Sequence, residues 1–233
     1  MHNKFRGILL FKKPFKENDL FAKFLTEKDE IISGIVYGGL SRKKRNIYQI
    51  GYFLEIISFQ RSNRPPSLKA DLVEPYLSII LNDKYKLNCL LSTTSILGLS
   101  LLEGQKINNI YNISLDFIKT MINEKKWIIY HFHFLMNLLK IIGYQLDFSS
   151  ISIYKFFDLN SLEFIKNENS SSILFPFELL NKETISKSNL NEVRNFFVIF
   201  ETVFIKNHLS NLNLQLPNQY QLFKKLIIEY LAE

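Results

Sequence analysis

The feature that most constrains the fold is a change of hydrophobic period near Pro75. Before it, apolar residues come in short runs cut by polar turns; after it, they recur at steps of three and four. A chain patterned this way builds strands first and helices afterwards, the arrangement of an α+β protein. In the first part, Phe5 to Phe11 stops at Lys12-Lys13-Pro14, and Asp19 to Leu25 forms a second run. Glu27-Lys28-Asp29-Glu30 is a tight polar turn into Ile31 to Tyr37, so runs two and three predict a hairpin. Tyr48 to Gln60 and Leu68 to Val73 complete five strands, broken by Arg61-Ser62-Asn63-Arg64-Pro65-Pro66. Five short strands with no long helix over residues 1–75 predict a small closed β-barrel, although an open β-sandwich carries the same pattern.

Residues 76–233 predict a helical bundle domain. Ile107, Ile110, Tyr111, Leu115, Ile118, Met121 and Ile122 form an amphipathic stripe, while Trp127 to Ile142 is apolar on nearly all sides and stops at Gly143. Asn189 to His208 and Tyr220 to Leu231 give two further helical patterns. Between them, about residues 145–185 form an irregular insertion rich in Ser and Asn, with scattered strand-like triplets. The run from Trp127 is interrupted by His131, His133, Asn137 and Lys140 and is shorter than the ~20 residues a bilayer demands, so no membrane contact is expected. The apolar stretch after Arg6 ends at Phe11, too short for a secretory leader. Cys89 is the chain's one cysteine; it excludes an intrachain disulfide, fits a reducing cytoplasm and reads as a small core residue.

Charge is distributed unevenly. Residues 1–64 hold 13 Lys/Arg against 6 Asp/Glu, a balance equal to the whole formal charge of +7, whereas residues 65–233 hold 16 of each. Such confinement implies a basic face on one module and an anionic partner. Its densest point is Arg42-Lys43-Lys44-Arg45, just after Gly38-Gly39, which frees the backbone to turn. A merely solvated loop is the plain alternative. Lys12, Lys13 and Lys16 follow the first strand, and Arg61 and Arg64 follow the fourth, so in a small barrel several of these ends gather. Tyr37, Tyr48, Tyr52 and Phe53 stand near them. A barrel of the oligonucleotide-binding type uses such aromatics to stack bases while cations follow phosphates, and Tyr37, next to the glycine turn, is the aromatic candidate for this role.

Catalytic patterns are missing. His131 and His133 are two residues apart and so face different sides of a helix, unable to share a metal as a pair four apart does. No phosphate loop, nucleophile elbow or metalloprotease motif occurs. Asp19, Asp29 and Glu30 could hold a divalent ion, but hairpin turns carry acidic residues for ordinary reasons. The expectation is a protein that is not an enzyme and uses no cofactor or metal.

Several segments, in order, resemble the bacterial RecO family of recombination mediators. Phe5-Arg6-Gly7-Ile8-Leu9-Leu10, Glu17-Asn18-Asp19-Leu20 and Phe24-Leu25-Thr26-Glu27 are similar to that family's opening, and Gly34 to Arg45 to its cation-rich segment. Phe134, Leu138-Leu139 and Ile142-Gly143-Tyr144 resemble its Leu-Gly-Tyr helix; Arg194, Lys206-Asn207-His208-Leu209 and Gln219 to Phe223 resemble its C-terminal helices. Leu135 departs from the family's usual Glu, and Ile151 and Tyr154 fall where zinc-bearing members place a cysteine pair. The resemblance implies a mediator that binds single- and double-stranded DNA and anneals complementary strands. With RecR it would help load RecA onto DNA coated by single-strand-binding protein (SSB). It also implies that the helical domain holds the acidic SSB C-terminal tail, for which Lys125, Lys126, Lys140, Arg194 and Lys206 are candidates. A cytoplasmic, nucleoid-associated protein, monomeric when alone, is the matching expectation. An RNA-binding barrel serving the ribosome and a nucleic-acid-processing enzyme stay open beside it.

Overall fold

In the computed structural model, which describes residues 2–61, 64–147 and 154–233, the change of period at Pro75 is the change from barrel to helices. The strands are β1 (His2–Phe15), β2 (Asp19–Thr26), β3 (Ile31–Val36), β4 (Phe53–Arg61) and β5 (Arg64–Glu74). They close a barrel in the order β1-β2-β3-β5-β4. The pairs are antiparallel except β3 with β5, which meet in parallel at Ile35 and Ser67. Closure needs Gly34: a Cβ there would lie 2.5 Å from the Pro66 carbonyl oxygen, so no larger residue lets β5 approach β3. Leu9, Leu20, Phe24, Val36, Leu54, Ile56 and Leu68 fill the barrel, and Tyr48 and Tyr52 join them.

Two strand limits differ from the sequence reading. β1 continues through Lys12-Lys13-Pro14 to Phe15. The proline is tolerated because the β1 register with β4 ends at Ile8, leaving residues 11–15 paired with β2 alone, where a missing N–H breaks no ladder on the other side. β4 begins at Phe53, not Tyr48, because Gly51 (φ +81°) turns the backbone. Its N–H donates to the Leu9 carbonyl at 2.8 Å, and the side chain of Tyr48 drops into the core.

The chain divides into two compact units, Met1–Ile118 and Lys119–Glu233. The first unit therefore contains more than the barrel. It adds α1 (Tyr76–Ile79), α2 (Lys84–Ser100) and the start of α3 (Ile110–Asn123). Asp83 caps α2 by accepting from the N–H groups of Tyr85 and Lys86, each at 3.0 Å. The β2–β3 turn does the same for α3: the Asp29 carboxylate accepts from Asn109 N–H at 2.8 Å and Tyr111 N–H at 3.0 Å. Cys89 is buried in α2, where burial pushes its thiol pKa up.

The second unit contains α4 (Trp127–Ile141), α5 (Phe177–Leu180), α6 (Leu190–Phe204) and α7 (Asn218–Ala232). A π-helical turn, Ile205–Leu209, continues α6. Phe132, Phe196, Phe197 and Phe223 form its aromatic centre. His131 lies fully buried among them, edge-on to Phe223 at 4.9 Å. Burial pushes its pKa down to about 3, so it is a neutral core residue. No helix among the described residues is long and apolar enough to cross a membrane.

The insertion is more regular than its sequence suggests. Its triplets pair as β6 (Phe156–Asp158), β7 (Glu163–Ile165) and β8 (Ser172–Leu174), an antiparallel sheet in the order β7-β6-β8. Phe157, Phe164, Phe175 and Phe177 pack together over it. Asp158 organises its turns. One carboxylate oxygen accepts from the N–H groups of Asn160 at 2.7 Å and Ser161 at 3.0 Å, and the other from Asn169 Nδ2 at 2.6 Å and Ser171 Oγ at 2.9 Å. The Asn169 amide, the Ser161 N–H and the Ser171 hydroxyl hold this carboxyl well below the usual range.

Candidate nucleic-acid interface

The basic loop is held by its backbone, which leaves its side chains outward. Gly38 adopts φ +66°, a left-handed conformation that side-chain-bearing residues rarely take, and its N–H donates to Asp19 Oδ1 at 2.9 Å. Leu40 N–H donates to the Asn18 carbonyl at 2.9 Å, so the loop is fastened to the β1–β2 turn. From Ser41 to Ile47 the chain winds in successive turns: Lys44 N–H and Arg45 N–H both donate to Ser41 O, and Ile47 N–H donates to Lys44 O. Leu40 and Ile47 pack inward against the barrel core. Arg42, Lys43, Lys44 and Arg45 lie between these two anchors, and all four are exposed. Among the described residues, none of the four forms a salt bridge. Lys44 Nζ lies 3.4 Å from the Tyr37 carbonyl, a long contact that leaves its charge at the surface.

The strand ends bring some of the sequence candidates to this loop. Lys13 and Lys16, at the end of β1, are exposed beside the β1–β2 turn. Lys16 sits in the turn itself with φ +57°. Lys12 faces the other way. Its Nζ donates to the Tyr48 carbonyl at 2.6 Å and to Gln49 Oε1 at 2.9 Å, and burial lowers its pKa. Gln49 in turn donates from Nε2 to the Arg45 carbonyl at 2.8 Å. Lys12 thus fastens the far end of the basic loop, which the sequence did not reveal. Arg61 and Arg64 pair across the β4–β5 hairpin. Their side chains lie outside the described residues. The backbone register runs from Lys13 to Phe21, from Phe21 to Ile35 and from Ile35 to Ser67, which sets Arg64 three residues beyond the far end of one rung across four strands.

Of the four aromatics near the loop, Tyr37 alone is exposed, at 47%. Tyr48 is in the core, its hydroxyl accepting from Ala70 N–H at 3.1 Å, and burial raises its pKa. The hydroxyl of Tyr52 is hydrogen-bonded to that of Ser78, and Phe53 is buried edge-on to Tyr76 at 4.9 Å. Exposed rings occur instead around Lys12-Lys13-Pro14, where the sequence predicts a strand stop: Phe11 at 43% and Phe15 at 36%, both on the extension of β1. The signal that could have found them was the alternation Phe11, Lys13, Phe15.

Acidic residues that could serve a metal have structural partners. Asp19 holds Gly38, Asp29 caps α3, and Glu30 forms a β-bridge with Lys106. Among the described residues no group of three or more His, Cys, Asp or Glu is placed to hold a metal ion. A cysteine-held zinc does not fit this chain: its one cysteine lies in α2, Tyr154 brings no thiolate, and Ile151 falls outside the described residues.

The five helical-domain cations are dispersed. Lys126 and Lys140 stand at opposite ends of α4, separated by 14 residues, or about 20 Å along the axis. Lys125 and Arg194 are exposed, and Lys126 reaches over the Tyr130 ring at 5.5 Å. Lys206 donates to the Leu159 carbonyl at 2.7 Å, closing a turn of the insertion.

No family model matches the chain. Curated relatives do. The DNA repair protein RecO of Rickettsia canadensis is 27% identical over 154 residues, 66% of this chain and 63% of that protein. The proteins of the same name in Rickettsia bellii and Rickettsia akari are each 26% identical, over 156 and 154 residues. The match to them covers 66% of this chain and, respectively, 63% and 64% of theirs.

Proposed function

We propose, from the premise that this chain is related to the RecO family of DNA repair proteins, that it is a DNA-binding recombination mediator whose barrel, residues 1–75, carries the nucleic-acid surface. One observation carries the reading: a loop whose backbone is hydrogen-bonded down onto the barrel while Arg42, Lys43, Lys44 and Arg45 project into solvent beside Lys13 and Lys16. Four adjacent cations repel one another, and a phosphate chain relieves that repulsion. The same surface suits strand annealing. Two complementary strands repel through their phosphates, and a protein face that neutralises both and releases their counterions lowers the barrier to pairing without any covalent bond being made or broken.

In this reading the protein binds single- and double-stranded DNA in the cytoplasm, anneals complementary strands, and acts with RecR in loading RecA onto SSB-coated DNA. The helical domain takes the SSB tail. Annealing of complementary oligonucleotides tests it directly. The purified protein is expected to accelerate pairing of SSB-coated strands in the presence of EDTA and without nucleotide, leaving both strands intact. Strand cleavage, or loss of the activity on chelation, would sink the mediator reading in favour of a metal-dependent enzyme.

A further inference from the structure

β1 outruns its neighbour β4. A bulge between Leu9 and Phe11 resets the alternation of the strand just where its pairing with β4 has ended. From there Lys12 and Pro14 oppose Ala22 and Leu20, the core-facing residues of β2. Phe11, Lys13 and Phe15 take the other face, opposite Lys23, Phe21 and Asp19. Without the bulge the two sets would be exchanged, and the phenylalanines would point into the barrel. The result is a ring, a cation and a ring on one exposed strand face. Lys13 Nζ lies 5.3 Å from the centre of the Phe21 ring, and Lys16 Nζ lies 5.8 Å from that of Phe15.

Two large rings left exposed forgo the burial that drives core formation, and here they are interleaved with positive charge in the segment that carries the chain's entire excess. Strand geometry sets Phe11 and Phe15 about 13 Å apart with Lys13 midway. Rings present flat faces to bases, and the cation between them is placed for the connecting phosphate. A duplex keeps its base faces stacked inside the helix and cannot use such rings.

We infer that the outer face of the β1 extension, Phe11, Lys13 and Phe15 with Phe21 alongside, stacks unpaired bases and is what makes this surface prefer single strands to duplex. The inference rests on the DNA-binding reading above and adds to it a division of labour. The Arg42–Arg45 loop attracts any phosphate chain, and the phenylalanine face selects the unpaired one.

The test is the double substitution Phe11→Leu with Phe15→Leu, which keeps apolar bulk but removes the flat ring faces, compared with Phe11→Tyr with Phe15→Tyr, which keeps them. Binding of an oligothymidine and of a duplex of equal length is measured by fluorescence anisotropy at several salt concentrations. The leucine variant should bind the single strand at least about 10-fold more weakly, as expected for losing stacking on two bases. Its salt slope and its duplex affinity should stay unchanged, and the tyrosine variant should behave as the parent. Equal losses for single strand and duplex, or a leucine variant that binds like the parent, overturn the stacking role while leaving the DNA-binding reading intact; the second result would point to the rings as a protein-docking patch. Failure of the parent protein to bind either nucleic acid overturns both readings.

Discussion

Residues 37–50, a run of turns, and residues 154–175, a small sheet with its connecting turns, orient their charges in opposite ways. In the first, backbone N–H groups and Lys12 hold the loop from beneath while Arg42 to Arg45 stay in solvent. In the second, the carboxylate of Asp158 turns inward to four donors, and Lys206 reaches in to the Leu159 carbonyl. A charge that satisfies its own chain's backbone has little left for a partner; a charge held out by a loop otherwise satisfied keeps its full field. The contrast separates two cations that look alike in sequence: Lys43 keeps its charge in solvent, and Lys206 fastens a turn.

The contrast is broken most directly by emptying the first region. Replacing Arg42, Lys43, Lys44 and Arg45 with alanine should weaken single-strand binding by up to about 10²- to 10³-fold at 0.1 M salt and reduce the log–log salt slope by at most roughly 3. Thermal unfolding should hardly move, since none of the four contributes to the core. A titration with an oligonucleotide at several salt concentrations checks this, and an unchanged slope would return the loop to the status of a solvated turn.

Asp158→Asn is the mirror experiment. The amide cannot accept four donors as the carboxylate does, so amide hydrogen exchange across Phe156–Asp158 should speed up while DNA affinity at pH 7 stays as it was. Acid should act on the unmodified protein in the same direction. The folded carboxyl is held below its ordinary value of 3.8, so an opened segment takes up the proton first. The stabilisation is therefore complete above that pH and lost as pH falls below it; the Asn variant should lack this acid-dependent loosening. Weaker DNA binding by the variant would show that the two regions are coupled.

The smallest effect, and the one that sharpens the contrast, is expected at Lys12→Met. Losing bonds from a half-exposed ammonium to Tyr48 and Gln49 should cost about 1 kcal/mol. A loosened loop should bind DNA only a few-fold more weakly. The salt slope distinguishes the roles: it stays constant if Lys12 positions the loop, and it falls by about 0.7 if Lys12 itself meets a phosphate.

Some of this was legible in the residues. Gly38-Gly39 announced the turn, and four consecutive cations could not be buried, so the exposure of Arg42 to Arg45 follows from electrostatics with no knowledge of the fold. The polar turns between apolar runs likewise sufficed for five strands, and the shift to helical period sufficed for the bundle. Other assignments needed partners distant in the chain. Lys12 and Lys13 are adjacent and chemically identical and take opposite faces in any strand, but a bulge two residues earlier decides that Lys12 is the one that points inward. Tyr48 and Tyr52 looked like equals of Tyr37 and are buried, because Gly51 turns that stretch over the barrel before β4 begins. The strand-like triplets of the insertion carry too little local pattern to show how they pair, and Asp158 ties their turns together through residues 11 and 13 positions away.

The sequence by itself therefore determined which elements form and where charge must meet solvent, since period, turn chemistry and self-repulsion are local properties. Only the tertiary structure decided which aromatics and which lysines face outward. A strand shows its two faces with a period of two, and a single bulge or a closing neighbour exchanges them without changing one residue of the pattern.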